Sequence, residues 1–273
     1  MTELAPGLPV PAIGQGTWGM GERSDRKEQE VAALRAGIER GLTLIDTAEM
    51  YGEGGAEEVV GQAIAGRRDE IVLVSKFYPQ NATRQGGVRA CERSLRRLGT
   101  DRLDLYLLHW RGSVPFAETI AALEGLVEQG KIRHYGVSNL DAGDMAEWHA
   151  EGGRAASDQI LYNPMRRGPE FDLLPWCRAH QVSIMAYSPL EQGRLLGDPA
   201  LSMIARRHDA TPAAVALAWL ARQEGVIAIP KAVSAAHIGE NCRALGLDLT
   251  SEDLAEIDGA FPPPKRKTPL AML

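Results

Sequence analysis

The sequence predicts an α/β protein of the (β/α)8, or TIM, barrel class, and three observations carry that expectation. Short runs that are apolar throughout, with no alternation, recur along the chain; strands of that kind belong to a parallel sheet covered by helices. Segments with helical apolar spacing separate them, and several of these stop at a glycine. Counted together, the strands reach eight, the number that closes a barrel of about 250 residues.

Taken in order, Pro11-Ala12-Ile13 is the expected first strand and the shortest. Val31, Leu34 and Ile38 recur at helical spacing, and Gly41 ends that run before the strand Thr43-Leu44-Ile45-Asp46. Ile71 to Ser75 is the third strand, closed by Lys76. Val88, Cys91, Leu95 and Leu98 mark the next helix, with Gly99 as its stop before Leu103 to His109. Ile120, Leu123 and Val127 repeat the pattern, with Gly130 before His134-Tyr135-Gly136-Val137. Glycine just past a helix takes the left-handed cap conformation that other residues resist. The last strands are Gln159-Ile160-Leu161, Ser183-Ile184-Met185-Ala186 and Val226-Ile227-Ala228-Ile229. Thr211-Pro212 reads as an N-cap followed by proline in the first helical turn. No linker or change of composition divides the chain, so residues 1–273 are expected to form one domain. The tail from Phe261, with Pro262-Pro263-Pro264, is expected as an extended strap or a disordered end.

Composition narrows the classes of function. The chain is 44% hydrophobic and carries a formal net charge of −6, which disfavours nucleic acid as a partner. Arg93, Arg96 and Arg97, and Lys265-Arg266-Lys267, read as solvated surface. No apolar run approaches the roughly 18 residues of a membrane span, and Met1 to Pro6 lacks the pattern of a secretory signal. Cys91, Cys177 and Cys242 are odd in number, far apart and without CxxC spacing, which fits a reducing cytoplasm. Only His109 among the six histidines ends a strand, and no HxH or carboxylate cluster offers metal-ligand spacing, so no metal is expected.

Gly14-Gln15-Gly16-Thr17-Trp18-Gly19 imitates a dinucleotide-binding fingerprint, with Asp46 downstream. The context argues otherwise. Pro9 and Pro11 break the preceding strand, and helical periodicity begins only at Val31, whereas the third glycine of that fingerprint packs within the opening of the helix. The segment is read as a glycine-rich loop at the barrel mouth that brings Trp18 to a pocket.

Four polar residues then stand out because each sits where an apolar strand stops: Asp46, Tyr51 in the loop just beyond it, Lys76 and His109. Parallel α/β folds place their ligands at that end of the sheet. An acid, a phenol, an amine and an imidazole suit proton donation to an oxygen better than nucleophilic attack. A tyrosine has a pKa of about 10, and a nearby ammonium favours the phenolate, so Lys76 is expected to lower the pKa of Tyr51, with Asp46 holding Lys76. His109 offers a second polar group to the reacting oxygen. Protonating a developing oxyanion is the task in reducing a carbonyl to an alcohol. The hydride must come from a cofactor, held by the second half of the chain.

With these residues in place, the sequence resembles the aldo-keto reductase family from about Pro11 to Leu254. The matching stretches are Gly16-Thr17-Trp18, Asp46-Thr47-Ala48 with Tyr51-Gly52, Val74-Ser75-Lys76, and Leu107-Leu108-His109-Trp110. They continue through Gly136-Val137-Ser138-Asn139, Gln159, Ala186-Tyr187-Ser188-Pro189-Leu190 and Ile229-Pro230-Lys231. The resemblance implies Tyr51 as general acid, Lys76 and Asp46 as its tuning pair, and His109 as the residue that orients the carbonyl. It implies Ser138, Asn139 and Gln159 at a nicotinamide carboxamide, Tyr187 stacked on the ring, and Ser188, Leu190 and the loop through Gly193 along the pyrophosphate.

The same resemblance bears on the choice of cofactor. In the family, a basic residue after the Ile229-Pro230 pair, an arginine further on and a Glu-Asn segment recognise adenosine 2′-phosphate. Lys231 and Glu240-Asn241 are present, with Asn241 expected at the adenine, but the arginine position holds His237. A guanidinium is a permanently charged fork for phosphate and an imidazole is not. NADPH/NADP+ is therefore the expected cofactor, with a weaker preference over NADH. Trp18, Tyr78 and Trp110 are expected to line the substrate pocket. The short segment Arg111 to Pro115 and the short tail imply an open site for small aldehydes, ketones or dicarbonyls such as methylglyoxal. An alternative in the same fold is an NADP(H)-binding, redox-sensing regulatory protein with little turnover. A monomer is expected.

Overall fold

The computed structural model describes residues 1–273. It opens with an antiparallel hairpin of β1 (Thr2–Ala5) and β2 (Leu8–Val10). Gly7 at its turn has φ +74°, a conformation that Pro6-Gly7 adopts easily. β3 (Gln15–Gly16) starts the barrel, followed by α1 (Lys27–Glu39), β4 (Leu44–Asp46), α2 (Gly55–Ile64), β5 (Val72–Phe77), α3 (Arg84–Leu98) and β6 (Leu103–Leu108). Then come α4 (Phe116–Glu128), β7 (Ile132–Ser138), α5 (Ala142–Ala150), β8 (Ser157–Leu161), α6 (Leu173–Ala179) and β9 (Ser183–Tyr187). The chain finishes with α7 (Pro199–Arg207), α8 (Pro212–Ala221), β10 (Val226–Ala228), α9 (Ala235–Ala244) and α10 (Ser251–Ala260).

Strands β3 to β10 pair in sequence order, each parallel to the next. The seam is closed by Ile13, which bridges Ala228 in parallel. Gly14 N–H donates to Ala228 O at 2.8 Å, Ala228 N–H to Ala12 O at 2.9 Å, and Gly16 N–H to Pro230 O at 3.0 Å. At Gly16 a Cβ would lie 2.6 Å from Ile229 O, so the seam requires glycine there. The fold is the single (β/α)8 barrel expected from the strand count.

The first strand is displaced from its expected place. Residues 12–14 bond only to the β10 side, and pairing with β4 begins at Gln15 and Gly16. Strands of a closed barrel are staggered, so the two edges of this strand engage different residues. The apolar signal at Ala12-Ile13 marks only one edge.

The hairpin plugs the bottom of the barrel. Leu4 and Val10 pack with Leu44, Val74, Leu105 and Ile227 in a small interior core, and Ser183 Oγ donates to Leu4 O at 2.7 Å. A larger core lies between sheet and helices. Expected caps recur: Gly99 (φ +64°) closes α3, and Thr211 Oγ1 accepts the Ala214 N–H at 3.2 Å at the start of α8. The tail is an extended strap. Phe261 O accepts from Arg167 Nη1 at 2.7 Å, Lys267 pairs with Asp172 at 3.0 Å, and Leu270 packs on the core. No helix is long and apolar enough to cross a membrane.

Candidate active site

Asp46 ends β4, Lys76 lies near the end of β5, His109 follows β6, and Tyr51 lies in the loop beyond β4. Parallel pairing brings these strand ends to one mouth. Lys76 is fully buried, and Asp46, Tyr51 and His109 are buried around it. The Lys76 Nζ donates to Asp46 Oδ2 at 2.9 Å, Thr47 O at 2.8 Å and Tyr51 Oη at 3.2 Å. An ammonium has three protons, so each has an acceptor. Asp46 Oδ1 accepts from Gln159 Nε2 at 2.8 Å across the barrel. The Tyr51 and His109 rings meet edge-on at 5.9 Å.

Burial dominates the electrostatics. It opposes the Lys76 ammonium, but the charges of Asp46 and Tyr51 outweigh it and the pKa of Lys76 is raised. Burial pushes the Asp46 carboxyl up against the pull of Lys76 and Gln159. For Tyr51 the expected lowering is corrected. Burial raises its pKa above the ordinary tyrosine value; Lys76 pulls it down by less, and Asp46 adds to the rise. The ammonium acts in the anticipated direction but loses to desolvation. Burial, with Lys76 adding to it, lowers the pKa of His109 to about 2. His109 is therefore a neutral imidazole, with its Nδ1 buried and unpartnered.

A cavity of about 420 Å³ opens over this cluster. Asp46, Tyr51 and His109 reach its wall, as do Trp18 and Trp110. Tyr78 does not. It stands against Trp110, ring edge to face at 5.8 Å, because the chain turns away from the mouth after Phe77. The glycine-rich loop does present Trp18, which is 58% exposed at the rim.

The cofactor residues expected nearest the chemistry also converge on the wall: Ser138, Asn139, Gln159, Tyr187, Ser188, Leu190, Gly193, Ile229 and Lys231. Asn139 is left-handed at φ +60°. Its Nδ2 donates to His109 O and Ser138 Oγ, and its Oδ1 accepts from Tyr187 Oη at 3.0 Å. Ser138 Oγ donates to Gln159 O at 2.7 Å. After Tyr187, positive φ at Ser188, Glu191, Gln192 and Gly193 curls the backbone, a geometry that turns successive N–H groups toward an anion. Half-buried Tyr187 offers a flat face beside that loop. A flat aromatic face beside a curled backbone loop is chemistry compatible with a dinucleotide, with Tyr187 available to a ring and the loop N–H groups to a pyrophosphate.

Three residues expected at the adenosine end lie beyond the wall of this cavity. His237, Glu240 and Asn241 sit on α9, outside the cavity wall. Exposed His237 lies in the first turn of α9, where its N–H is capped by Ser234 Oγ at 3.2 Å. The site is less open than the short tail implied, because Met272 and Leu273 line the cavity. An apolar Leu270-Ala271-Met272-Leu273 ending on a charged tail was the available signal. The solvated-surface reading fails for two arginines: Arg97 Nε donates to buried Glu57 at 2.6 Å, and Arg93 pairs with Glu49 at 3.2 Å. Glu191 was also missed; it is buried and accepts from Asn163 and Arg166, anchoring the curled loop. Nothing in the spacing distinguishes it from a surface acid. No cluster of three or more His, Cys, Asp or Glu is placed to hold a metal.

A closed parallel barrel with a buried phenol–ammonium pair under a cavity at its mouth is the architecture of a barrel oxidoreductase. Residues 12–261 match the model of the Aldo/keto reductase family, and the chain belongs to that family. It is 54% identical to the methylglyoxal reductase YeaE of Escherichia coli K12 over 280 aligned positions, covering 100% of this chain and 99% of that protein. It is 34% identical to the glyoxal reductase of Bacillus subtilis, covering 94% and 91%. A crystal structure of an aldo/keto reductase from Klebsiella pneumoniae, in complex with NADP and acetate, superposes with a TM-score of 0.97. That chain is 54% identical, with 100% and 99% of the two chains covered.

Proposed function

We propose that the protein reduces small aldehydes, ketones and dicarbonyls of the methylglyoxal type to alcohols, with NADPH as cofactor and Tyr51 as the general acid. The observation that carries this reading is the arrangement of Lys76. One of its protons goes to Tyr51 Oη, which leaves the phenol's own proton as the donor toward the cavity. NADPH bound along Tyr187 and the 188–193 loop would supply the hydride. Asn139 bonds Ser138, Ser138 bonds the Gln159 carbonyl and the Gln159 side chain bonds Asp46, a chain that preorganises the site for one orientation of a bound ring. Neutral His109 orients the carbonyl oxygen by a hydrogen bond without competing as an acid. Tyr51 delivers the proton as charge grows on that oxygen, and Lys76 steadies the phenolate left behind, with Asp46 balancing its charge. Trp18 and Trp110 offer apolar walls and Met272 and Leu273 narrow the mouth, which suits small carbonyl compounds. The names of the bacterial relatives agree with that substrate class.

The test titrates the protein with NADPH and NADH by fluorescence and then adds methylglyoxal or simple aromatic aldehydes. Tighter NADPH binding and turnover of these compounds are expected. Binding without turnover of any carbonyl would favour the redox-sensing alternative. Turnover of one bulky sugar or keto acid alone would overturn the substrate class.

A further inference from the structure

The loop that carries Tyr51 is stitched to the strand that carries Lys76, and one side chain makes most of the stitch. Thr47 N–H donates to Val74 O at 2.9 Å and Glu49 N–H to Lys76 O at 3.1 Å, so backbone pairing continues past the end of β4. Glu49 then turns its buried carboxylate onto the chain beyond Lys76. Oε1 accepts the Tyr78 N–H at 2.8 Å and Asn81 Nδ2 at 2.7 Å; Oε2 accepts Arg93 Nη2 at 3.2 Å. Glu49 thus grips both sides of the Lys76–Phe77 peptide segment, two residues before Tyr51. On the far side of Tyr51 the backbone runs through left-handed Gly52, Glu53 and Gly54, a geometry with little intrinsic preference to hold the phenol in place.

We infer that Glu49 is a positioning residue that sets the spacing between the Tyr51 phenol and the Lys76 ammonium. The inference rests on the reading of Tyr51 as proton donor. The carboxylate touches neither group; it acts as a tether of fixed length between their two backbone segments. The titratable groups in contact with Tyr51 or beside it are Lys76, Asp46 and His109, with Tyr187 and Lys231 further round the same cavity wall. Glu49 touches none of them except the Lys76 backbone, so its substitution changes the Lys76 distance and leaves the others in place.

The test compares Glu49→Asp with Glu49→Gln. Aspartate keeps the charge facing Arg93 but shortens the tether by a methylene; glutamine keeps the length and a carbonyl acceptor for Tyr78 N–H. A tether predicts that E49D lowers kcat for methylglyoxal about tenfold, since misplacement by an ångström can cost up to ~100-fold, while E49Q stays within about threefold of the parent. NADPH Kd should stay within about twofold in both. In E49D the alkaline fall of kcat should move to higher pH, because a more distant ammonium lowers the tyrosine pKa less. A role through charge reverses the order, so greater loss in E49Q overturns the inference. Parental kcat and pH profile in both variants, or loss of the fold in either, overturn it as well. Undiminished turnover in Tyr51→Phe would instead remove the reading beneath it, whatever Glu49 does.

Discussion

Lys76 and Asp46 form an ion pair at 2.9 Å with both side chains out of solvent. Removing one member of such a pair costs about 3–5 kcal/mol, because the other is left buried and uncompensated. Asp46→Asn should therefore lower stability by about that amount in denaturant unfolding. The double variant Asp46→Asn/Lys76→Met should recover much of the loss while staying inactive, since no charge is stranded in it.

His109 links stability to acid. Its folded pKa is depressed to about 2, whereas an unfolded histidine titrates near 6.5. Between those values the unfolded chain binds a proton that the folded chain does not, so stability falls as pH drops below about 6.5. The loss approaches about 1.4 kcal/mol per pH unit from this group. His109→Gln should flatten that part of the stability–pH curve, read by thermal unfolding between pH 4 and 7 (a window on the order of the unperturbed histidine range). Turnover should show no acid limb from His109 in the same window.

Cofactor choice is testable at α9. If the first turn of that helix meets the adenosine 2′-phosphate, His237→Arg supplies a permanent, forked cation there. NADPH should bind about tenfold tighter, about 1.4 kcal/mol, with NADH affinity unchanged, as read by fluorescence titration.

The barrel seam depends on Gly16, where a Cβ would stand 2.6 Å from the Ile229 carbonyl. Gly16→Ala should destabilise the fold by about 1–3 kcal/mol, the usual cost of overpacking. Because Trp18 and Lys231 flank that seam on the cavity wall, cofactor affinity should weaken as well.

The strands and the cluster of Asp46, Tyr51, Lys76 and His109 were legible because both leave local marks. A fully covered parallel strand is apolar at every position, and a functional group at its end breaks the run abruptly, as at Lys76 and His109. What was not legible depends on closure and on distance. The stagger that shifts the first strand to Gln15–Gly16 arises only when β10 meets it across the seam. The Pro6-Gly7 turn between Thr2–Ala5 and Leu8–Val10 was a readable hairpin signal that went unused. The direction of the Tyr51 pKa turned on how deeply the phenol is buried, which no spacing between Tyr51 and Lys76 conveys. Tyr78 lay in the right register after Lys76, yet the chain turns at Pro79 and leaves it behind Trp110.

The proton donor is the centre of the proposed mechanism, and Tyr51→Phe tests it with a single atom. The variant removes the hydroxyl and keeps the ring against His109 and Lys76. With NADPH affinity within about twofold of the parent, single-turnover oxidation of bound NADPH by methylglyoxal should fall by about 10²–10⁴, the usual contribution of a positioned acid. Oxidation at the parent's rate in that variant would contradict the assignment of Tyr51.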